Sequence, residues 1–190
     1  MIKKKPQLTI ARLNMYLADA KILNYYRRNP IIACEDILGI YLSDAQAYAL
    51  AGMWNADVSA FAASRNWGKS FIIAIICLLR AILYPDQNIY IVSSVGSQAK
   101  ETHSKIEELC LRTGHTAAST PDLKDIAMGE IVTSTKNPTG FKHDPSSYEV
   151  KFHNGSGIFT LNASPDNIRG KRSNLTVFDE AAFCAIDLAS

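Results

Sequence analysis

The stretch Ala63-Ser64-Arg65-Asn66-Trp67-Gly68-Lys69-Ser70 puts an amine and a hydroxyl side by side after a polar bend. Such a bend, leading into a helix, turns backbone N–H groups inward, and the helix N-terminus adds partial positive charge at the same place. Anionic oxygens are what such a loop suits. The spacing is that of the phosphate-binding pattern GxxxxGK[ST], with Ala63 in place of the first glycine. In that pattern Lys69 reaches β- and γ-phosphates and Ser70 coordinates magnesium. Read alone, a helix start that happens to contain Gly-Lys-Ser explains the same residues. Context favours the phosphate loop, because Val58–Ala62 reads as a short strand before it and an apolar helix begins near Lys69.

A matching acidic element lies downstream, where the apolar run Leu175–Phe178 ends in Asp179-Glu180. Neighbouring side chains of an extended chain point to opposite sides. Asp179 is thereby expected to face the magnesium, while Glu180 orients and deprotonates water from another direction. By itself such a pair is a surface feature at a strand end. Together with Lys69 and Ser70 it reads as the second half of a nucleotide site.

The elements that must position these groups follow from periodicity. Residues 7–28 carry Leu8, Ala11, Met15, Ala18, Ile22 and Tyr25 at steps of three or four, which predicts an amphipathic helix ended by Asn29-Pro30. Ser43 is an N-cap candidate for a second helix running to about Trp54. Asn88–Ser93 reads as a buried strand and Gly96–Thr113 as a helix with Ala99, His103, Ile106 and Leu109 on one side. The βαβα order implies an α/β fold with a mainly parallel sheet flanked by helices. Gly114–Ser147 reads as loops around one or two short elements. Tyr148–Phe152 and Gly157–Leu161 are expected to pair through Asn154-Gly155, a dipeptide suited to the positive φ angles of a hairpin turn.

Composition narrows the classes. The chain has 190 residues, enough for one sizeable core, and a net charge of +2. Residues 1–30 hold seven Lys/Arg against Asp19 alone, while the remainder holds thirteen against seventeen acids, so the basic part is N-terminal. A solvated basic arm is the favoured explanation; a polyanion-binding segment has the same look, and charge alone does not establish DNA binding. Cys34, Cys77, Cys110 and Cys184 show no CxxC pair, which argues against a zinc knuckle or disulfide framework and fits reduced thiols in a cytoplasm. His103, His115, His143 and His153 lack metal-ligand spacing. No apolar stretch follows the basic start as in an export signal. Phe71–Leu83 is too short to span a bilayer and carries Arg80.

Four segments together carry a more specific likeness: Ser64-Arg65-Asn66-Trp67-Gly68-Lys69-Ser70, Asn154-Gly155-Ser156, Ser164-Pro165-Asp166-Asn167-Ile168-Arg169-Gly170 and Phe178-Asp179-Glu180-Ala181-Ala182-Phe183. In order and spacing they resemble the ATPase motifs of phage large terminases. That family's Walker A carries Ser-Arg before Gly-Lys-Ser/Thr and dispenses with the first glycine, so Ala63 agrees with it. The resemblance covers about residues 40–185.

The resemblance implies a P-loop NTPase of RecA-like (ASCE) type, with Walker A and B on neighbouring strands. It would bind ATP and Mg2+ and drive double-stranded DNA into a procapsid as a ring on the portal protein, inside the host cytoplasm. It implies a helical N-terminal segment at 1–40 and an ATPase core at 41–190. Residues 1–30 are a candidate dock for the small terminase subunit, the portal or DNA. It also implies a γ-phosphate role for Arg65, where loop shaping is the alternative, and an adenine-reading role for Gln46, where an ordinary helix position is the alternative. Ser93, Ser94 and Gln98 resemble a segment that couples nucleotide state to DNA, although a helix cap is the favoured explanation. Arg169, Lys171 and Arg172 suit DNA phosphates, a neighbouring subunit's ATP or a solvated loop. The family continues past the equivalent of Ser190 with a coupling motif and a nuclease domain, so no nuclease activity is expected of this segment. Two further classes remain to be distinguished: a helicase-like nucleic-acid-stimulated ATPase, and an ATP-holding assembly module without fast turnover.

Overall fold

The computed structural model describes residues 10–64, 66–93, 96–111, 129–163 and 170–179. Five helices and five strands follow in the order α1 (Ile10–Arg28), α2 (Pro30–Leu38), α3 (Asp44–Asn55), α4 (Lys69–Leu83), β1 (Asn88–Ser93), α5 (Gly96–Leu111), β2 (Lys142–His143), β3 (Tyr148–Lys151), β4 (Gly157–Asn162) and β5 (Leu175–Phe178). The strands form one mixed sheet in the order β2-β3-β4-β1-β5. Its β1 is parallel to β4 and β5, and β3 is antiparallel to β2 and β4. The expected mainly parallel sheet is therefore corrected to a mixed one. A hairpin connection such as that through Asn154-Gly155 can only join antiparallel neighbours.

Helix α4 is the centre of the core. One stripe, Ala74, Cys77, Leu78 and Ala81, packs with α5 onto the sheet face carrying Ile89, Ile91, Val150 and Ile158. The other, Ile72, Ile75, Ile76, Leu79 and Leu83, packs against Ala33, Cys34 and Ile37 of α2 and Leu50 and Trp54 of α3. A helix apolar all round belongs between two layers. Among the described residues, helices cover only this face of the sheet. On the other face Tyr90 and Phe159 stack with ring centroids 5.5 Å apart, and Phe178 is 43% exposed.

Polar ties fix which way α4 runs. The side-chain amide of Asn154 donates to the carbonyls of Ala81, Ile82 and Tyr84 at 2.8, 3.2 and 3.3 Å, and the Ser156 hydroxyl donates to Tyr84 at 2.8 Å. Arg27 Nε donates to Leu83 O at 2.7 Å. The C-terminal carbonyls of α4, which a helix cannot satisfy internally, are thus met at the amino ends of β1 and β4. Gly155 takes the positive φ of the β3–β4 turn at 87°. Any Cβ there would meet Asp86.

Two further expectations fail. Val58–Ala62 is not a strand: Val58 is 92% exposed, and Phe61 packs edge-on against Trp67 instead. A short apolar run becomes a strand only where a ladder partner exists, and no described strand pairs with it. The predicted face of α1 is also only partly used, since Ile22 and Tyr25 are 54% and 52% exposed. Helix α2 was not anticipated, although Pro30 stands at its first turn and Gly39 caps it in the left-handed region.

Cys34, Cys77 and Cys110 are free and buried, and burial pushes each thiol up to about 12, which keeps them protonated and unreactive. His103 is fully buried between the rings of Phe141 and Tyr148, and neither ring nitrogen has a hydrogen-bond partner among the described residues. Burial, helped by nearby His143, lowers its pKa from 6.5 to about 4. Between those values the unfolded chain takes up a proton that the folded chain refuses, so stability is lost as pH falls through that window. The loss attributable to His103 is about 3 kcal/mol. Urea unfolding of wild type and His103→Leu at neutral pH and near pH 4 is expected to show a shallower acid loss in the variant; equal losses would contradict it.

Candidate functional site

Because the C-terminus of α4 is held at the amino ends of β1 and β4, its N-terminus lies toward the carboxyl end of the sheet. The helix has 15 residues and β1 has six, lengths of about 22 and 20 Å, so the one spans the other. Lys69 and Ser70 therefore open α4 at the same end of the sheet at which Asp179 closes β5.

The loop before α4 contains two residues with positive φ. Asn66 and Gly68 have φ of 63° and 98°, a left-handed conformation that asparagine tolerates and glycine adopts freely. Trp67 N–H donates to Ser64 O at 3.4 Å, and the indole packs on Phe61, anchoring the loop to the body. The N-cap position of α4 is Gly68, which has no side chain to cap with; among the described residues no other side chain caps the helix, and no acidic residue occupies its first turn. The partial positive charge of a helix N-terminus favours an anion there. Lys69 and Ser70 are half-buried, and Lys69 forms no ion pair with a described residue. Arg65 lies outside the described residues.

At the facing strand ends, Asp179 N–H donates to Val92 O at 2.9 Å, carrying the β1–β5 ladder one residue further. Its Oδ2 accepts from the hydroxyl of Thr102 on α5 at 2.6 Å. One helical turn earlier, Gln98 Oε1 accepts from Ser93 Oγ at 2.9 Å. The first turns of α5 thus fasten the carboxyl ends of both β1 and β5. Ser94, Arg169 and Glu180 lie outside the described residues; Lys171 and Arg172 are exposed in the loop before β5.

Gln46 sits at the third position of α3 in a capping box with Ser43, its Oε1 accepting from Ser43 N–H at 3.2 Å. Its Nε2 lies 3.4 Å from where a Cβ on Gly68 would stand, so the amide borders the loop. The cap uses one of the two lone pairs on the carbonyl oxygen, and the amide protons have no partner among the described residues. Beside this loop, an open groove of about 700 Å3 runs between Asp44, Tyr48 and Met53 of α3 and Phe61, Ala62 and Trp67.

Residues 60–190 match the family model described as terminase large subunit, T4likevirus-type, N-terminal. The chain belongs to that family. Membership ties this terminase segment to phage DNA packaging. The matched span starts at Ala60, so α1 to α3 and Gln46 precede it. Comparison with curated proteins finds no match. Among the described residues, no helix is long and apolar enough to cross a membrane.

Sequence reasoning missed Thr102. It lies 77 residues from Asp179, inside a helix with no motif around it, and no local signal marks the pairing. Gln46→Ala is expected to lower stability by about 1 kcal/mol through loss of the capping box. Gln46→Glu, which keeps an acceptor oxygen, should recover it. Thermal unfolding of the two variants checks this, and equal melting of Gln46→Ala and wild type would contradict it.

Proposed function

We propose that this terminase segment is the magnesium-dependent ATP-binding and hydrolysing part of the packaging motor, a P-loop NTPase core at residues 41–190 preceded by a helical segment at 1–40. What carries the proposal is the amino end of α4, which no described side chain caps and which left-handed Asn66 and Gly68 precede, at the end of the sheet where Asp179 is held by Thr102.

The donor set fits the implied cation. The Ser70 hydroxyl and the Asp179 carboxylate are hard oxygen ligands, and Mg2+ is commonly held by one or two such groups with phosphate and water completing the octahedron. Bound magnesium neutralises charge as the terminal phosphoryl group is transferred to water. In this proposal the backbone of Ser64–Gly68 cradles the phosphates and the Lys69 ammonium reaches the outer ones. Glu180 orients and deprotonates the attacking water, and Arg65 stabilises charge on the γ-phosphate. Gln46 borders the loop where it can read the base. Positioning and electrostatics, rather than covalent chemistry, supply the rate.

Hydrolysis would drive translocation of double-stranded DNA into the procapsid, inside the host cell, with the chains arranged as a homo-oligomeric ring. The exposed Leu17, Ile22, Leu23 and Tyr25 of α1, beside the basic N-terminal residues, offer a surface for the portal protein, the small terminase subunit or DNA. Family membership favours a packaging motor over a helicase.

Titration with a fluorescent ATP analogue in magnesium is expected to show saturable binding that Lys69→Ala abolishes. Phosphate release, stimulated by double-stranded DNA, should be lost in Glu180→Gln while binding persists, with kcat lowered by at least about 100-fold. A chain that binds but is indifferent to Glu180→Gln would be an assembly module without turnover. Absence of binding by the folded wild type would refute the proposal.

A further inference from the structure

Thr102 stands on α5 and is only 1% exposed, yet its hydroxyl is directed off its own helix to a carboxylate on β5. A helical threonine commonly returns its hydroxyl to a carbonyl in the preceding turn. Here the proton goes to Asp179 Oδ2, since an ionised carboxylate can only accept. The 2.6 Å separation is that of a charge-assisted O–H···O⁻ bond. Burial of Thr102 means that water cannot readily take over as donor.

We propose that Thr102 is a positioning residue for magnesium, holding Asp179 so that one carboxylate oxygen is committed to α5 and the other is kept for the cation. The proposal rests on Asp179 being a magnesium ligand. Two constraints act on Asp179 together. Its main-chain N–H is pinned to Val92 O at 2.9 Å, and its Oδ2 is pinned to Thr102. Oδ1 has no partner among the described residues, so it is the oxygen this arrangement leaves for a metal. With one oxygen fixed, the side chain has lost most of its rotamer freedom before the metal arrives, and binding then costs less ordering. Gln98, one turn before Thr102, holds Ser93 at the end of β1, so the helix bearing the donor is itself registered against the strands.

A bond serving only to tie α5 to β5 would affect stability alone. The two roles separate in a magnesium series read by fluorescent ATP-analogue binding, using the full chain as wild type, Thr102→Val, Thr102→Ser and Lys69→Ala. Valine keeps the shape and removes the donor, while serine keeps the donor. Thr102→Val is expected to need about tenfold more magnesium for half-maximal binding, with nucleotide affinity in chelator unchanged. Thr102→Ser should follow wild type. Thermal unfolding establishes that each variant is folded, and where valine prevents folding Thr102→Ala takes its place. A magnesium dependence in the folded donor-less variant equal to that of wild type overturns the inference alone. A wild type that binds no nucleotide, and so does not differ from Lys69→Ala, overturns the nucleotide site and this inference with it.

Discussion

The burial of α4 on two sides governs the rest of the molecule. Its nine fully or nearly fully buried residues face the sheet and α5 on one side and α2 and α3 on the other. Large apolar side chains stabilise by about 1.5–3 kcal/mol each when buried, against roughly 1 kcal/mol for a single hydrogen bond or cap. Apolar packing therefore places the helix. Polar contacts then set its direction and height: Asn154, Ser156 and Arg27 meet the carbonyls at its C-terminus. The amino end follows, placed where the strands finish and capped by no described side chain.

A second consequence runs through α5. This helix shares the α4 core through Ala99, Ile106 and Cys110, while its polar residues Gln98 and Thr102 turn to the ends of β1 and β5. The same apolar cluster that seats α4 on the sheet thus seats the donor that holds Asp179. In a nucleotide site the cation and phosphate groups must be placed within fractions of an ångström of each other. Here both halves of the candidate site hang on one packed unit rather than on independent loops.

Much of this was legible because burial leaves marks at short range. Asn88–Ser93 and Leu175–Phe178 are mainly apolar runs with clear ends, and both are strands with the expected bounds, the first largely buried and the second only partly so. Ala99, His103 and Ile106 recur at helical spacing, and all three are buried. Val58–Ala62 has a similar composition but no partner, and a strand depends on its neighbour. The spacing of Ile22 and Tyr25 identifies a helix without saying what covers it. In the site, the order of Gly68, Lys69, Ser70 and Asp179 is a local pattern that the sequence displays. The Thr102–Asp179 bond and the approach of the Gln46 amide to the loop at Gly68 are tertiary and leave no local trace.

The central claim is that the amino end of α4 and the carboxyl ends of β1 and β5 form one nucleotide site. Hydrogen–deuterium exchange of the full chain, with and without magnesium and a non-hydrolysable ATP analogue, tests it most directly. Protection is expected together at the backbone amides of Gly68–Ile72 and around Asp179, with the turn at Asn154–Ser156, at the far end of α4, unchanged. Protection confined to that turn, or none at either Gly68–Ile72 or Asp179 under saturating analogue, would contradict the account.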